Sequence, residues 1–155
     1  MNTDLFRLAY CSRTLIPAQE EDHAELSRIL AVSRVNNARA GVTGAILYNQ
    51  GCFAQVLEGP LEAVQRTFER IQRDPRHGDV VVLQAERVAT PLFSAWDMAL
   101  AEASDPAAAN ATLAPAMADP SAGAGHDVVA MLAALVCREA AWRQGAGEHR
   151  APIEA

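Results

Sequence analysis

Lysine is missing from this 155-residue sequence, in which all 13 basic residues are arginine. The chain therefore cannot form a lysine Schiff base, which excludes pyridoxal phosphate enzymes, and it cannot build a Walker A phosphate loop. Acidic residues outnumber basic ones by 19 to 13, and the net charge of −6 argues against nucleic acid as a partner. No apolar run approaches the roughly 18 residues of a membrane span, so we expect no membrane partner either.

Cysteine is also scarce, and the spacings of Cys11, Cys52 and Cys137 fit no zinc or redox motif. Their odd number, together with an N-terminus that lacks a signal-sequence pattern, predicts a reduced protein of the cytoplasm. The sequence shows no nucleophile–base pair and no cluster of metal ligands. We therefore expect neither an enzyme nor a metal site.

The apolar periodicity predicts an α+β domain with the element order βαββαββ. This order is typical of a ferredoxin-like mixed sheet that carries both helices on one face. A helix is predicted over 20–38, a second helix begins at Pro60, and the pair Gln50-Gly51 predicts a tight hairpin turn. The predicted strands cover residues 5–12, 42–49, 52–58, 79–89 and 93–102.

Alanine content changes near residue 101, with 13 alanines in residues 1–100 and 19 in residues 101–155. We therefore divide the chain into a domain of residues 1–103 and a linker with a helical tail, residues 104–155. Helices are predicted in the tail over 107–117 and 126–144. Because several strands are apolar on both faces, we expect the tail to cover the face opposite the two helices and to relay a signal.

Polar side chains interrupt three of the apolar patterns. Asn37 and Ser33 continue the inward stripe of the first helix, Gln55 alternates with apolar neighbours along a strand, and Tyr10 shares a strand face with apolar residues. Separately, Asn37 could cap its helix, Gln55 could lie on a surface face, and Tyr10 could be an ordinary core tyrosine. Together, a phenol and two amides on one dry face suggest a bound polar ligand.

These residues lie in motifs that resemble those of the BLUF domain, a blue-light sensor that binds flavin. The resemblance runs from about Leu5 to Ala101, roughly two thirds of the chain, and the two motifs in its middle are highly specific at this spacing. The matching motifs cover residues 8–12, 36–48, 53–59, 74–77 and 93–98.

The resemblance implies that Tyr10 and Gln55 form a photoactive pair, with Met98 beside Gln55. Trp96 would either approach the site, where it could compete with Tyr10 as electron donor, or turn away from it. The implied flavin-binding residues are Ile29, Ser33, Asn36, Asn37, Ile71, Arg70, Asp74, Arg76 and His77. For the last four of these residues, a position at a solvated helix end is an open alternative.

The cofactor that the resemblance implies is FAD, with FMN as the alternative because both share the isoalloxazine ring and the ribityl phosphate. Light-driven transfer of an electron and a proton from Tyr10 to the flavin, the proton passing through Gln55, would be followed by charge recombination. This return would leave the glutamine amide rotated or tautomerised. The flavin would end chemically unchanged, so the resemblance implies a sensor that turns over no substrate.

The tail is too short for an output domain, which predicts that the signal passes to a separate protein; the same apolar surfaces could form a homo-oligomer. Two other functions stay open: a flavin-free ferredoxin-like interaction module and a small hydrolase on this fold. A colourless purified protein would indicate the first. Activity that is indifferent to Tyr10→Phe and Gln55→Leu would indicate the second.

Overall fold

The computed structural model describes residues 5–14, 21–75, 77–103 and 105–147. The order of these elements confirms the predicted α+β fold of the ferredoxin-like type. Within the described residues, no helix has both the length and the apolar character needed to cross a bilayer. The elements are β1 Leu5–Thr14, α1 Glu21–Ala40, β2 Thr43–Asn49, β3 Cys52–Pro60, α2 Leu61–Gln72, β4 His77–Arg87, β5 Ala99–Ala101, α3 Pro106–Ala118 and α4 Ala122–Gly147.

The five strands form one mixed sheet in the order β4-β1-β3-β2-β5. β5 runs parallel to β2, whereas the other neighbouring strands are antiparallel. The pairing of β1 with β3 puts Tyr10 directly opposite Gln55. Since directly opposed residues share a face of the sheet, both side chains lie on the same side.

The predicted hairpin turn is present between β2 and β3. Gln50 and Gly51 both have positive φ angles, 51° and 82°, as a type I′ turn requires. Such a turn sets the register of the two strands, and the resulting pairing puts Ile46 opposite Gln55. The turn therefore helps to decide which β2 side chain lies beside this glutamine.

The last strand is shorter than predicted, since only Ala99–Ala101 of the expected range 93–102 pairs with β2. The backbone N–H of Phe93 instead donates to the carboxylate of Glu58 at 2.9 Å. The carbonyl oxygen of Trp96 accepts from the N–H of Gly44 at 3.1 Å. Because these backbone groups are used outside the strand ladder, residues 88–98 form a looped segment, here called the Met98 segment.

The two faces of the sheet are covered by different helices. The face that carries Tyr10 and Gln55, here called the cavity face, packs against α2 through buried residues such as Phe68. The opposite face, here called the tail face, packs against α3 and α4, where Leu113 and Leu132 are fully buried. The C-terminal helices therefore cover the face opposite α1 and α2, as the apolar pattern of the strands predicted.

Helix α4 approaches the sheet closely at Gly125. A Cβ atom at this position would lie 2.5 Å from the carbonyl oxygen of Leu83 on β4, which is closer than a real Cβ contact allows. At Gly123, in the same helix, the nearest atom to such a Cβ would be the Ser121 hydroxyl at 3.9 Å. Gly125 thus permits a backbone-to-backbone approach that a side chain would prevent.

Candidate functional site

A cavity of about 620 Å³ lies between the cavity face, α1 and α2. This volume is within the range of ordinary cofactor pockets. Its walls contain most of the residues that the sequence singled out. The predicted site residues that line it are Tyr10, Ile29, Ser33, Asn36, Asn37, Gln55, Arg70, Ile71 and Asp74.

Of the other four predicted site residues, two are described and lie outside the cavity lining. Met98 lies just behind its wall, in contact with Gln55. Trp96 packs against the buried cluster of the tail face, so of the two placements left open for it, the structure has the one turned away. Arg76 and the side chain of His77 lie outside the described residues.

Sequence reasoning missed six residues of the cavity wall. Two of them could have been found from strand pairing, since Ile46 lies opposite Gln55 and Phe53 alternates with it. Thr67 precedes Ile71 by one helical turn and therefore shares its face of α2. The full set of missed residues is Val32, Ile46, Phe53, Thr67, Arg73 and Pro75.

Gln55 links Tyr10 to Met98 within the protein interior. The Tyr10 hydroxyl donates a hydrogen bond to Oε1 of Gln55, and both side chains are almost fully buried. At its other end, Nε2 of Gln55 donates to the Met98 sulfur at 3.4 Å. The amide thus uses its acceptor toward a phenol and its donors toward a thioether, in the orientation that these two partners require.

The environment of Tyr10 keeps its phenol protonated. Burial raises the pKa of Tyr10 far above its ordinary value of 10.0, with smaller contributions from Cys11 and Asp74. The ring of Phe68 packs against the Tyr10 ring with a centroid separation of 5.4 Å and a tilt of 49°. Tyr10 is therefore held as a neutral hydrogen-bond donor, and loss of its proton needs an acceptor at close range.

Asn37 connects α1 to the Met98 segment. Its side chain is buried, and Nδ2 donates to the carbonyl oxygen of Asp97 at 2.8 Å. One helical turn earlier, Nε of Arg34 donates to the carbonyl oxygen of Met98 at 3.0 Å. Helix α1 thus lines the cavity and also holds the backbone that carries Met98.

A buried ion pair anchors the start of the Met98 segment. Glu58 is fully buried, and its carboxylate accepts hydrogen bonds from Nε of Arg7 at 2.7 Å and from the N–H groups of Leu92 and Phe93. Arg7 also donates from Nη2 to the carbonyl oxygen of Thr90 at 3.0 Å. The negative charge is therefore compensated by a guanidinium and two backbone amides.

The cavity combines walls and polar groups that suit a planar ring with polar edges. Ile29 on α1 and Ile71 on α2 supply apolar side chains, whereas Asn37 supplies an amide. The hydroxyl of Thr67 is buried and has no hydrogen-bond partner within the described part of the chain. The apolar side chains suit the faces of a ring and the amide suits its polar edge, so the residues present fit such a ligand.

Comparisons with known proteins agree with this geometry. The family model BLUF, described as sensors of blue light using FAD, matches residues 5–99. The chain is 39% identical over 82 residues to photoactivated adenylate cyclase subunit beta of Euglena gracilis. That match covers 53% of this chain and 9% of the subunit, so the chain spans about a tenth of the length of this relative.

Two solved structures share the fold. BlrB, a BLUF protein in its dark state, has a TM-score of 0.64 at 28% identity, with 85% of this chain and 100% of BlrB covered. The photo-activated state of BlsA has a TM-score of 0.71 at 24% identity, with 83% of this chain and 94% of that chain covered. The relatives thus range from proteins of about this size to much larger cyclase subunits.

Proposed function

Because the chain belongs to the BLUF family of blue-light sensors that use flavin, we propose that it is a photoreceptor and not an enzyme. Its flavin binds without a covalent bond in the cavity between α1 and α2. The observation that carries the proposal is the hydrogen-bonded series Tyr10–Gln55–Met98 at the wall of that cavity. Such a series can change its bonding without turning over a substrate.

The cavity residues can hold the cofactor through apolar and polar contacts. Ile29 and Ile71 contact the two faces of the ring, while Asn37 and Asn36 bind its polar edge. Arg70 lines the same cavity and supplies a cation for the phosphate end of the ligand. FAD is the assigned flavin because the family description names it, with FMN as the alternative. The bound flavin supplies a chromophore that absorbs blue light and is then a strong oxidant.

Tyr10 is the residue that gives up an electron under light. Its raised pKa means that the phenol holds its proton in darkness. Once oxidised, a phenol is a far stronger acid, and Oε1 of Gln55 is the acceptor to which its hydroxyl already donates. Electron loss at Tyr10 and proton movement through Gln55 are therefore coupled in this proposal, and charge recombination returns both the electron and the proton to Tyr10.

Gln55 converts that proton movement into a lasting change. Its amide has a donor end and an acceptor end, and rotation or tautomerisation changes which end faces each neighbour. In the described orientation Nε2 donates to the Met98 sulfur. A rotated amide would present its oxygen to a sulfur that cannot donate, so the contact with Met98 favours the dark orientation.

The output passes through the segment that follows Met98. β5 begins at the next residue, pairs with β2 and packs on α4, so a displaced Met98 biases the strand and the tail helix. The proposed receiver is a separate protein, with the photoreceptor as a homo-oligomer. We place the protein in the cytoplasm, where the free thiols of buried Cys11 and Cys52 stay reduced.

The absorption spectrum of the full chain before and after blue light tests the proposal. We expect a flavin spectrum that shifts slightly to the red and recovers in darkness. Gln55→Leu should retain the flavin and lose the shift, whereas Gln65→Leu, at an exposed position of α2, should keep both. A purified protein without flavin would contradict the photoreceptor. A normal shift in Gln55→Leu would contradict the Tyr10–Gln55 mechanism.

A further inference from the structure

Helix α1 donates two side-chain hydrogen bonds to the backbone of the Met98 segment. Nδ2 of Asn37 donates to the carbonyl oxygen of Asp97 at 2.8 Å. Nε of Arg34 donates to the carbonyl oxygen of Met98 at 3.0 Å. The two donors are three residues apart and therefore lie on one face of the helix. Two consecutive carbonyl groups directly before β5 are thus held from α1.

Arg34 differs from Asn37 in its relation to the cavity. Asn37 lines the cavity, so it is available to a bound ligand as well as to the segment. Arg34 is not part of the cavity lining. A change at Arg34 can therefore affect the backbone of Met98 without altering a wall of the ligand site.

The position of the Met98 sulfur depends on the backbone that carries it. A methionine side chain has three rotatable bonds and adapts easily to its surroundings. Its sulfur nevertheless lies 3.4 Å from Nε2 of Gln55, and the residue is only 2% exposed. Because the backbone of Met98 decides where this flexible side chain can reach, a fixed carbonyl group limits the sulfur to positions near the amide.

We propose that Arg34 is a positioning residue of the light reaction. By holding the carbonyl group of Met98, it keeps the Met98 sulfur in contact with Gln55 and so stabilises the dark orientation of the glutamine amide. The proposal rests on the proposed function, since it requires a Gln55 amide that reorients after illumination. Loss of the hydrogen bond from Arg34 weakens the dark arrangement and slows the return to it.

Two substitutions of Arg34 separate its hydrogen bond from the length of its side chain. At the same number of bonds from Cα as Nε, Arg34→Met has a methyl group and Arg34→Gln has an amide nitrogen; both new residues form helices about as well as arginine. We expect dark recovery to slow about threefold to fivefold in Arg34→Met and to stay within about twofold of the wild type in Arg34→Gln. Arg39→Met, at an exposed position of the same helix, should recover like the wild type.

A double variant distinguishes positioning from a general effect on stability. Met98→Leu removes the sulfur, so Arg34→Met should slow recovery no further in that background. Recovery of the full chain after blue light is followed by absorption, and Tm is measured in parallel. A merely structural arginine would lower Tm in Arg34→Met and leave the recovery rate unchanged.

The outcomes separate this proposal from the proposed function. Wild-type recovery in Arg34→Met, equal slowing in Arg34→Met and Arg34→Gln, or full additivity with Met98→Leu would each overturn the positioning role and leave the photoreceptor intact. Absence of a light-induced shift in the wild type would overturn both. Slow recovery in Arg34→Met that is restored in Arg34→Gln, and that adds nothing to Met98→Leu, would support the role of Arg34.

Discussion

The sulfur of Met98 accepts a hydrogen bond of 3.4 Å from the side-chain amide of Gln55. This contact joins β3 to the residue that directly precedes β5. It makes the orientation of one buried amide and the position of the last strand depend on each other. A change in the orientation of the Gln55 amide therefore alters a contact of Met98, next to the edge of the sheet that α4 covers.

Met98→Leu tests that dependence, because leucine has nearly the same volume and no acceptor. Without the sulfur, the dark orientation of Gln55 loses a partner and the driving force for dark recovery falls. We expect recovery after blue light to slow by about threefold to tenfold, the equivalent of a weak hydrogen bond. Recovery is followed by absorption, and an unchanged rate would show that Met98 does not hold the amide.

Glu58→Gln should destabilise the protein strongly. It leaves the buried guanidinium of Arg7 without its counter-charge, so the free energy of unfolding should fall by about 3–5 kcal/mol. Adding Arg7→Met should restore part of this loss, since both charges are then removed. Urea unfolding measures the free energy of unfolding of each variant.

Glu62→Gln is the control for Glu58→Gln, because the Glu62–Arg66 pair is exposed on α2. Its stability should stay close to that of the wild type. Equal losses at the two positions would contradict the anchoring role of Glu58.

The stability of the protein should decrease above pH 9 because of Cys11. Burial raises the pKa of this thiol from 9.0 to about 12, with a smaller contribution from Cys52. Above pH 9 the unfolded chain releases a proton that the folded chain retains, so Cys11 lowers the free energy of unfolding as pH rises. Between pH 8 and pH 10 this loss is about 1.4 kcal/mol.

Urea unfolding of the wild type and of Cys11→Ala at pH 8 and pH 10 measures the contribution of this thiol. Cys11→Ala leaves a small void, so we expect it to be less stable than the wild type at pH 8. Its loss between the two pH values should nevertheless be smaller than that of the wild type. Equal pH dependence in the two proteins would show that Cys11 titrates normally.

Gly125→Ala should loosen the contact between α4 and the sheet. The added Cβ would meet the carbonyl oxygen of Leu83 at 2.5 Å, and we expect a loss of about 1–3 kcal/mol together with increased binding of a hydrophobic dye. Gly123→Ala is the matched control, since its Cβ meets nothing closer than 3.9 Å. A neutral Gly125→Ala would mean that α4 can shift without cost.

The sequence predicted the location of the site better than it predicted the contacts that hold the Met98 segment beside it. Strand alternation put Tyr10 and Gln55 on one face, because the period of a strand does not depend on distant contacts. The strand predicted over 93–102 was mostly wrong because the carboxylate of Glu58 binds the backbone of Phe93, a contact between residues 35 positions apart. Which donors a buried carboxylate collects depends on tertiary packing, which local patterns do not contain.

The shortness of β5 has a consequence for local unfolding. β5 pairs with β2 through three residues at the edge of the sheet, whereas β1 and β3 pair through nine residues in its interior. Backbone amides of Ala99–Ala101 should therefore exchange with deuterated solvent long before those of the central strands. We therefore expect the shortest strand of the sheet, which begins at the residue after Met98, to open at the lowest cost in free energy.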